Sequence, residues 1–77
     1  MKIQKEVKER QELMLFMTAR YLNEAQKEPR YWLENIMVAD TYCHAYSIAW
    51  NEKPQYIKDE SDKVIAVEAN GIRVDVK

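Results

Sequence analysis

The feature that most constrains this chain is the dipeptide Asn70-Gly71, which lies between two runs that alternate apolar and polar residues. Asn-Gly favours a two-residue type I′ turn, because both residues tolerate a positive φ, and this turn joins two antiparallel strands. The sequence therefore predicts a β-hairpin over residues 63–77, with Val67 opposite Val74. One face of the hairpin is then apolar and contains Ile65, Val67, Ala69, Ile72, Val74 and Val76.

A two-stranded hairpin is only marginally stable in water, so its apolar face needs other elements against it. Residues 3–26 carry apolar side chains at helical spacing, and Pro29 can begin a second helix over residues 30–51. Pro54 follows the end of that helix, and residues 52–62 form a polar connector. We therefore predict an α+β fold in a single domain, with two long helices followed by a C-terminal β-hairpin (ααββ).

The first helix carries a heptad-like pattern in its spacing. The positions that alternate in steps of four and three are Ile3, Val7, Arg10, Met14, Met17 and Tyr21. Such a seam is typical of a helix with a helical partner. In the first half of this helix the apolar arc is narrow and many residues are charged, so we expect that half to project from the core or to fray.

The second helix is apolar around most of its circumference, which is typical of a helix buried between elements or at an interface. A chain of 77 residues offers few sites between elements, so we predict a homodimer, formed by pairing helices or by joining hairpin edges. A separate apolar strip on this helix contains Leu33, Met37 and Ile48. The residues predicted to contact a partner are Met14, Met17, Tyr21, Trp32, Ile36, Tyr42, Tyr46 and Trp50.

A thin polar strip also runs along the second helix, formed by Asp40, His44, Ser47 and Asn51. Cys43 is next to His44 in sequence but points about 100° away on a helix, so we interpret Cys43 as a small core residue. We expect Asp40 to accept a hydrogen bond from His44. A polar strip between apolar surfaces can fix the register of an interface.

Two chemical interpretations of this strip remain as alternatives. Asp40, His44 and Ser47 are the residue types of a catalytic triad, but they share one helix face and lack evident donors for an oxyanion. Asp40 and His44 could also bind one metal ion, and two-fold symmetry would double these ligands. We predict neither a metal nor catalytic residues nor a cofactor.

Composition restricts the classes of partner. The chain has 12 Lys and Arg against 13 Asp and Glu, so it lacks the positive excess that draws a protein to nucleic acid. The single cysteine favours a reducing compartment, and the sequence shows neither a signal peptide nor an apolar run long enough for a membrane span. We expect a cytoplasmic protein with no membrane and no evident small-molecule substrate.

These observations predict a small non-enzymatic protein-protein interaction module. We expect a homodimeric regulatory or inhibitory accessory protein, of the type encoded by phages and mobile elements, that binds a host or partner protein. An alternative is a nucleic-acid-binding regulator of ribbon-helix-helix-like order, in which residues 1–7 form a strand before the two helices. A second alternative is a metal-binding or enzymatic site around Asp40 and His44.

Overall fold

The computed structural model describes residues 2–76 and has the predicted α+β class. Two helices precede a three-stranded antiparallel sheet with the strand order β1-β2-β3. The elements are α1 (Lys2–Lys27), a short 3-10 turn (Pro29–Tyr31), α2 (Trp32–Trp50), β1 (Gln55–Lys58), β2 (Val64–Ala69) and β3 (Ile72–Asp75). The helices therefore begin and end within one or two residues of the predicted positions.

The hairpin between β2 and β3 confirms the prediction made from Asn70-Gly71. Val67 pairs with Val74 and Ala69 pairs with Ile72, in the predicted register. Asn70 has a φ of 50° and Gly71 has a φ of 74°, as a type I′ turn requires.

The predicted connector over residues 52–62 was wrong in part, because it contains the strand β1. Tyr56 in β1 pairs with Val67, so β2 becomes the central strand of the sheet. This strand is only four residues long and has two apolar residues, Tyr56 and Ile57, between polar neighbours. So short a run shows little alternation, and its strand conformation depends on the edge that β2 offers for pairing.

A β-bulge shifts the register between β1 and β2. Ile57 pairs with Ala66 and Lys58 pairs with Val64, so β2 has one extra residue at this point. Val64 therefore turns into the core, whereas Ile65 is 36% exposed, which corrects the prediction that Ile65 lies on the apolar face. The side chain of Gln26 binds the backbone of Val64, accepting from its N–H at 2.8 Å and donating to its carbonyl at 3.1 Å.

The core lies between the two helices and the apolar face of the sheet. Its buried residues are Leu15, Ala19, Leu22, Ala39, Tyr46, Val64, Val67 and Ala69. The ring of Tyr21 in α1 stacks on that of Tyr42 in α2, with centroids 6.0 Å apart. The helices therefore pack on each other within one chain, and α2 supplies a helical partner for part of the α1 seam.

The first half of α1 extends beyond this core. Residues 4–10 are all exposed, yet the helix is continuous from Lys2. This projecting half agrees with the charged pattern of the sequence. It also corrects the alternative of a strand over residues 1–7, of which Met1 lies outside the described residues. In the part of the chain that the structure describes, no helix is long and apolar enough to cross a membrane.

Candidate functional site

An open cleft of about 840 Å³ separates the C-terminal half of α2 from β1. The residues that line the cleft are Asp40, Cys43, His44, Ser47, Lys53, Pro54, Gln55, Tyr56 and Lys58. One wall is the face of a helix and the other is an edge strand with the loop that precedes it. The cleft therefore brings the predicted polar strip next to residues that the sequence placed in a connector.

The polar strip lies mainly on the outside of α2. Asp40 and His44 are exposed and Ser47 is half-buried, and all three face the cleft. Asn51 is exposed at the end of α2, where it adopts a left-handed conformation and its N–H donates to the carbonyl of Ser47 at 2.8 Å. The strip thus borders both solvent and the first strand of the sheet.

Asp40 is bound across the cleft. The hydroxyl of Tyr56 donates to Oδ1 of Asp40 at 3.0 Å. Within residues 2–76 no hydrogen bond joins His44 to Asp40, so that prediction was wrong. Burial, the Cys43 thiol and the Asp40 carboxylate all raise the pKa of Tyr56 well above its ordinary value of 10.0.

Cys43 is buried, as predicted, at the base of the cleft. Its Sγ lies 3.8 Å from the carbonyl oxygen of Pro54. Burial raises the pKa of the Cys43 thiol above its ordinary value of 9.0, so the thiol stays protonated near neutral pH. A protonated thiol is a poor nucleophile and a poor metal ligand.

Alkaline pH is expected to destabilise the fold. The pKa values of Cys43, Tyr46 and Tyr56 are all raised, chiefly by burial. These groups lose protons at lower pH in the unfolded chain, so their contribution to stability is complete below their unfolded pKa values and is lost as pH rises through the folded ones. The urea concentration at the midpoint of unfolding should therefore decrease as the pH rises from about 8 to about 11.

The matched variants for this measurement are Cys43→Ala and Tyr56→Phe. Each removes one of the titrating groups, so each should have a shallower fall in urea midpoint with rising pH than the unchanged chain. A midpoint that stays constant across this alkaline range in the unchanged chain would contradict the expectation.

The eight residues predicted to contact a partner differ in how far they are exposed to solvent. Tyr46 is fully buried within one chain, whereas Trp32 is 53% exposed. The six that are half-buried are Met14, Met17, Tyr21, Ile36, Tyr42 and Trp50. Five of the eight therefore pack in or against the core of a single chain, namely Tyr46, Met14, Tyr21, Ile36 and Trp50.

Most of the large apolar side chains that are exposed do not belong to these eight residues. They include Leu13 and Phe16 on α1 and Leu33, Met37 and Ile48 on α2. The separate strip of Leu33, Met37 and Ile48 was the sequence signal for the α2 group. Leu13 and Phe16 lie in an apolar stretch, and only the packing of α1 shows which of its residues face outward.

The cleft presents hydrogen-bonding groups from both of its walls. Asp40 is bound to Tyr56, and the thiol of Cys43 is protonated near neutral pH. Within residues 2–76, no group of three or more His, Cys, Asp or Glu side chains could hold a metal ion. Comparison with protein-family models, with curated proteins and with solved structures finds no match for this chain.

Proposed function

We propose that this chain is a small non-enzymatic interaction protein that forms a homodimer and regulates or inhibits another protein by binding it. The observation that carries this proposal is the exposure of large apolar side chains on two opposite sides of the molecule. Large apolar side chains that are exposed together in a patch, unlike those exposed singly, are typical of interaction sites. One of these sides can bind a second copy of the chain, and the other can bind a partner protein.

The first side belongs to α2. Leu33 is 53% exposed, Met37 is 61% exposed and Ile48 is 72% exposed. These residues and His44 form what we call the α2 stripe. His44 also lines the cleft beside β1, so the α2 stripe lies on the β1 side of the molecule.

The second side belongs to α1. Leu13 is 58% exposed and Phe16 is 53% exposed, and we call this pair the α1 patch. Phe16 borders a small groove with Asp75 of β3, the strand at the opposite edge of the sheet from β1. Full burial of a completely exposed apolar side chain contributes about 1.5–3 kcal/mol, and covering the exposed part of these side chains contributes the corresponding fraction to a complex.

We assign the binding site for the partner protein to the α1 patch. Acidic substitutions there should weaken binding strongly, because a carboxylate would lose its hydration in an apolar contact. The double variant Leu13→Glu/Phe16→Glu tests this assignment. Its matched control is Tyr31→Glu, which makes the same kind of change on another large side chain that is about half exposed.

The experiment compares proteins captured from host lysate by the unchanged chain, the double variant and the control. The protein lost only with the double variant is then purified and its affinity for each chain is measured by calorimetry. We expect at least a tenfold weaker affinity for the double variant, which is about 1.4 kcal/mol. Equal affinity for all three chains, or recovery of nucleic acid alone, would contradict the proposal.

A further inference from the structure

We propose that a second copy of this chain covers the side of the molecule formed by the α2 stripe and the outer edge of β1. A two-fold axis perpendicular to the sheet would relate the two copies. This inference rests on the homodimer in the proposed function and assigns the surface through which it forms. The contacts involve both layers of the fold, because helix pairs with helix and strand pairs with strand.

The α2 stripe is complementary to itself when two helices run antiparallel. At 3.6 residues per turn its four residues fall within an arc about 60° wide. Positions 33 and 48, and positions 37 and 44, are each centred on the point between residues 40 and 41. A two-fold axis at that point places Leu33 against Ile48 of the second copy and Met37 against His44 of the second copy.

The outer edge of β1 provides the second layer. β1 pairs with β2 on one side, and no strand within residues 2–76 lies on its other side. The N–H of Asp59 donates to the carbonyl of Lys63 at 2.9 Å, towards β2. Because backbone groups alternate along a strand, those of Tyr56 and Lys58 point to the outer edge.

Two copies can join at this edge in one antiparallel ladder. If Ile57 lies opposite Ile57 of the second copy, Tyr56 and Lys58 of each copy can exchange backbone hydrogen bonds. The two sheets then become one six-stranded sheet, with both α2 helices on the same face. This pairing also removes an open edge that would otherwise favour uncontrolled association.

A single two-fold axis can relate both the paired α2 helices and the paired β1 strands. The Tyr56 hydroxyl lies 3.0 Å from Oδ1 of Asp40, so the middle of β1 is level with the middle of the α2 stripe along the helix. An axis that passes beside Ile57 therefore also passes close to the centre of the α2 stripe. Helix pairing and strand pairing are compatible in the same dimer.

Charges at the ends of β1 favour the antiparallel arrangement. Lys53 precedes the strand, and Asp59 and Glu60 follow it; all three are exposed. Antiparallel pairing brings Lys53 of each copy towards Asp59 and Glu60 of the other copy, in a turn (residues 58–63) that has three carboxylates and two lysines. The opposite helix ends of the two α2 helices also lie side by side, which is favourable for their dipoles.

The helix strip alone is too small for a stable interface, so the strand edge and the turns beside it have to contribute. A 19-residue helix is about 28 Å long and about 10 Å wide, so it presents a strip of about 280 Å². β1 has four residues and is about 13 Å long, so an edge layer about 10 Å deep adds about 130 Å² in projection, before the relief of side chains is counted. Stable complexes bury about 800 Å² per partner, which the helix strip alone does not approach.

The dimer would also enclose the cleft. Asp40, His44 and Ser47 of both copies would then line a space between the helix pair and the joined strands. Polar residues enclosed in this way select one register of the apolar contacts around them.

Single-cysteine cross-linking tests this arrangement in the full chain with Cys43→Ala as background. Thr41→Cys lies near the axis in the helix layer and Ile57→Cys lies near it in the strand layer. The matched controls are Leu13→Cys on the α1 patch and Arg73→Cys on the opposite strand edge. Each variant is oxidised with copper phenanthroline, and its molar mass is measured by light scattering before and after oxidation.

We expect a dimer for every variant, with disulfide-linked chains formed rapidly at positions 41 and 57 and at least tenfold more slowly at the two controls. Ile48→Glu should convert the dimer to a monomer, whereas Leu13→Glu should leave the dimer intact. Both Glu variants are expected to fold because Ile48 and Leu13 are exposed, and circular dichroism checks this. A dimer that cross-links at 13 or 73 instead would overturn the assigned surface but retain the homodimer, whereas a monomer at high micromolar concentration would overturn both.

Discussion

Replacing Tyr46 with alanine is expected to leave most of the chain unfolded at 25 °C. Tyr46 is fully buried, its ring centroid lies 4.7 Å from that of Trp50, and its hydroxyl donates to Oδ1 of Asn70 at 2.6 Å. Truncation of a buried aromatic side chain costs about 3–5 kcal/mol. A core of this size rarely supplies more than about 3–5 kcal/mol in total, so the loss is comparable to the whole stability.

Urea unfolding followed by circular dichroism measures this effect at one fixed protein concentration, because association would add to apparent stability. Tyr46→Phe separates the hydroxyl from the ring and should cost only about 0.5–1.5 kcal/mol. Tyr31→Ala is the control for loss of an aromatic ring, since Tyr31 is 51% exposed. A Tyr46→Ala protein as stable as Tyr31→Ala would show that the ring is not part of the core.

Leu15→Ala should lower the free energy of unfolding by about 2–5 kcal/mol. Leu15 is fully buried in the layer between α1 and the sheet, and the substitution would leave a cavity there. Because helix and sheet meet around this side chain, the cavity can close only if whole elements move.

Leu13→Ala provides a matched control only two positions away on the same helix. Leu13 is 58% exposed, so the same chemical change should alter stability by less than about 0.5 kcal/mol. The difference between the two midpoints in urea measures the orientation of α1 directly. Equal effects at the two positions would contradict the described packing of α1.

The hairpin and the helices were predictable because their signals are local. Asn70-Gly71 specifies a turn through the φ angles that these two residues tolerate, and the register of β2 and β3 follows from that turn. The helical spacing of apolar residues and the position of Pro29 likewise depend on neighbours within a few residues. Local signals of this kind do not require knowledge of the rest of the fold.

The third strand and the candidate site depended on contacts between distant residues. Tyr56 becomes part of a strand because β2 lies beside it, and its long side chain reaches Asp40 across the cleft between β1 and α2. The bulge at the start of β2 turns Val64 inward and Ile65 outward, against the simple alternation of the sequence. Nothing in the separate segments indicates these three outcomes.

The sequence by itself determined the two helices, the hairpin and its turn, because dihedral preferences and helical periodicity act over a few residues. Only the tertiary structure decided which of the apolar faces of α2 enters the core and which remains outside. That choice depends on where α1 and the sheet pack, so it left Leu33, Met37 and Ile48 exposed and placed Asp40 opposite Tyr56. The surface offered to a second copy is what this packing leaves uncovered.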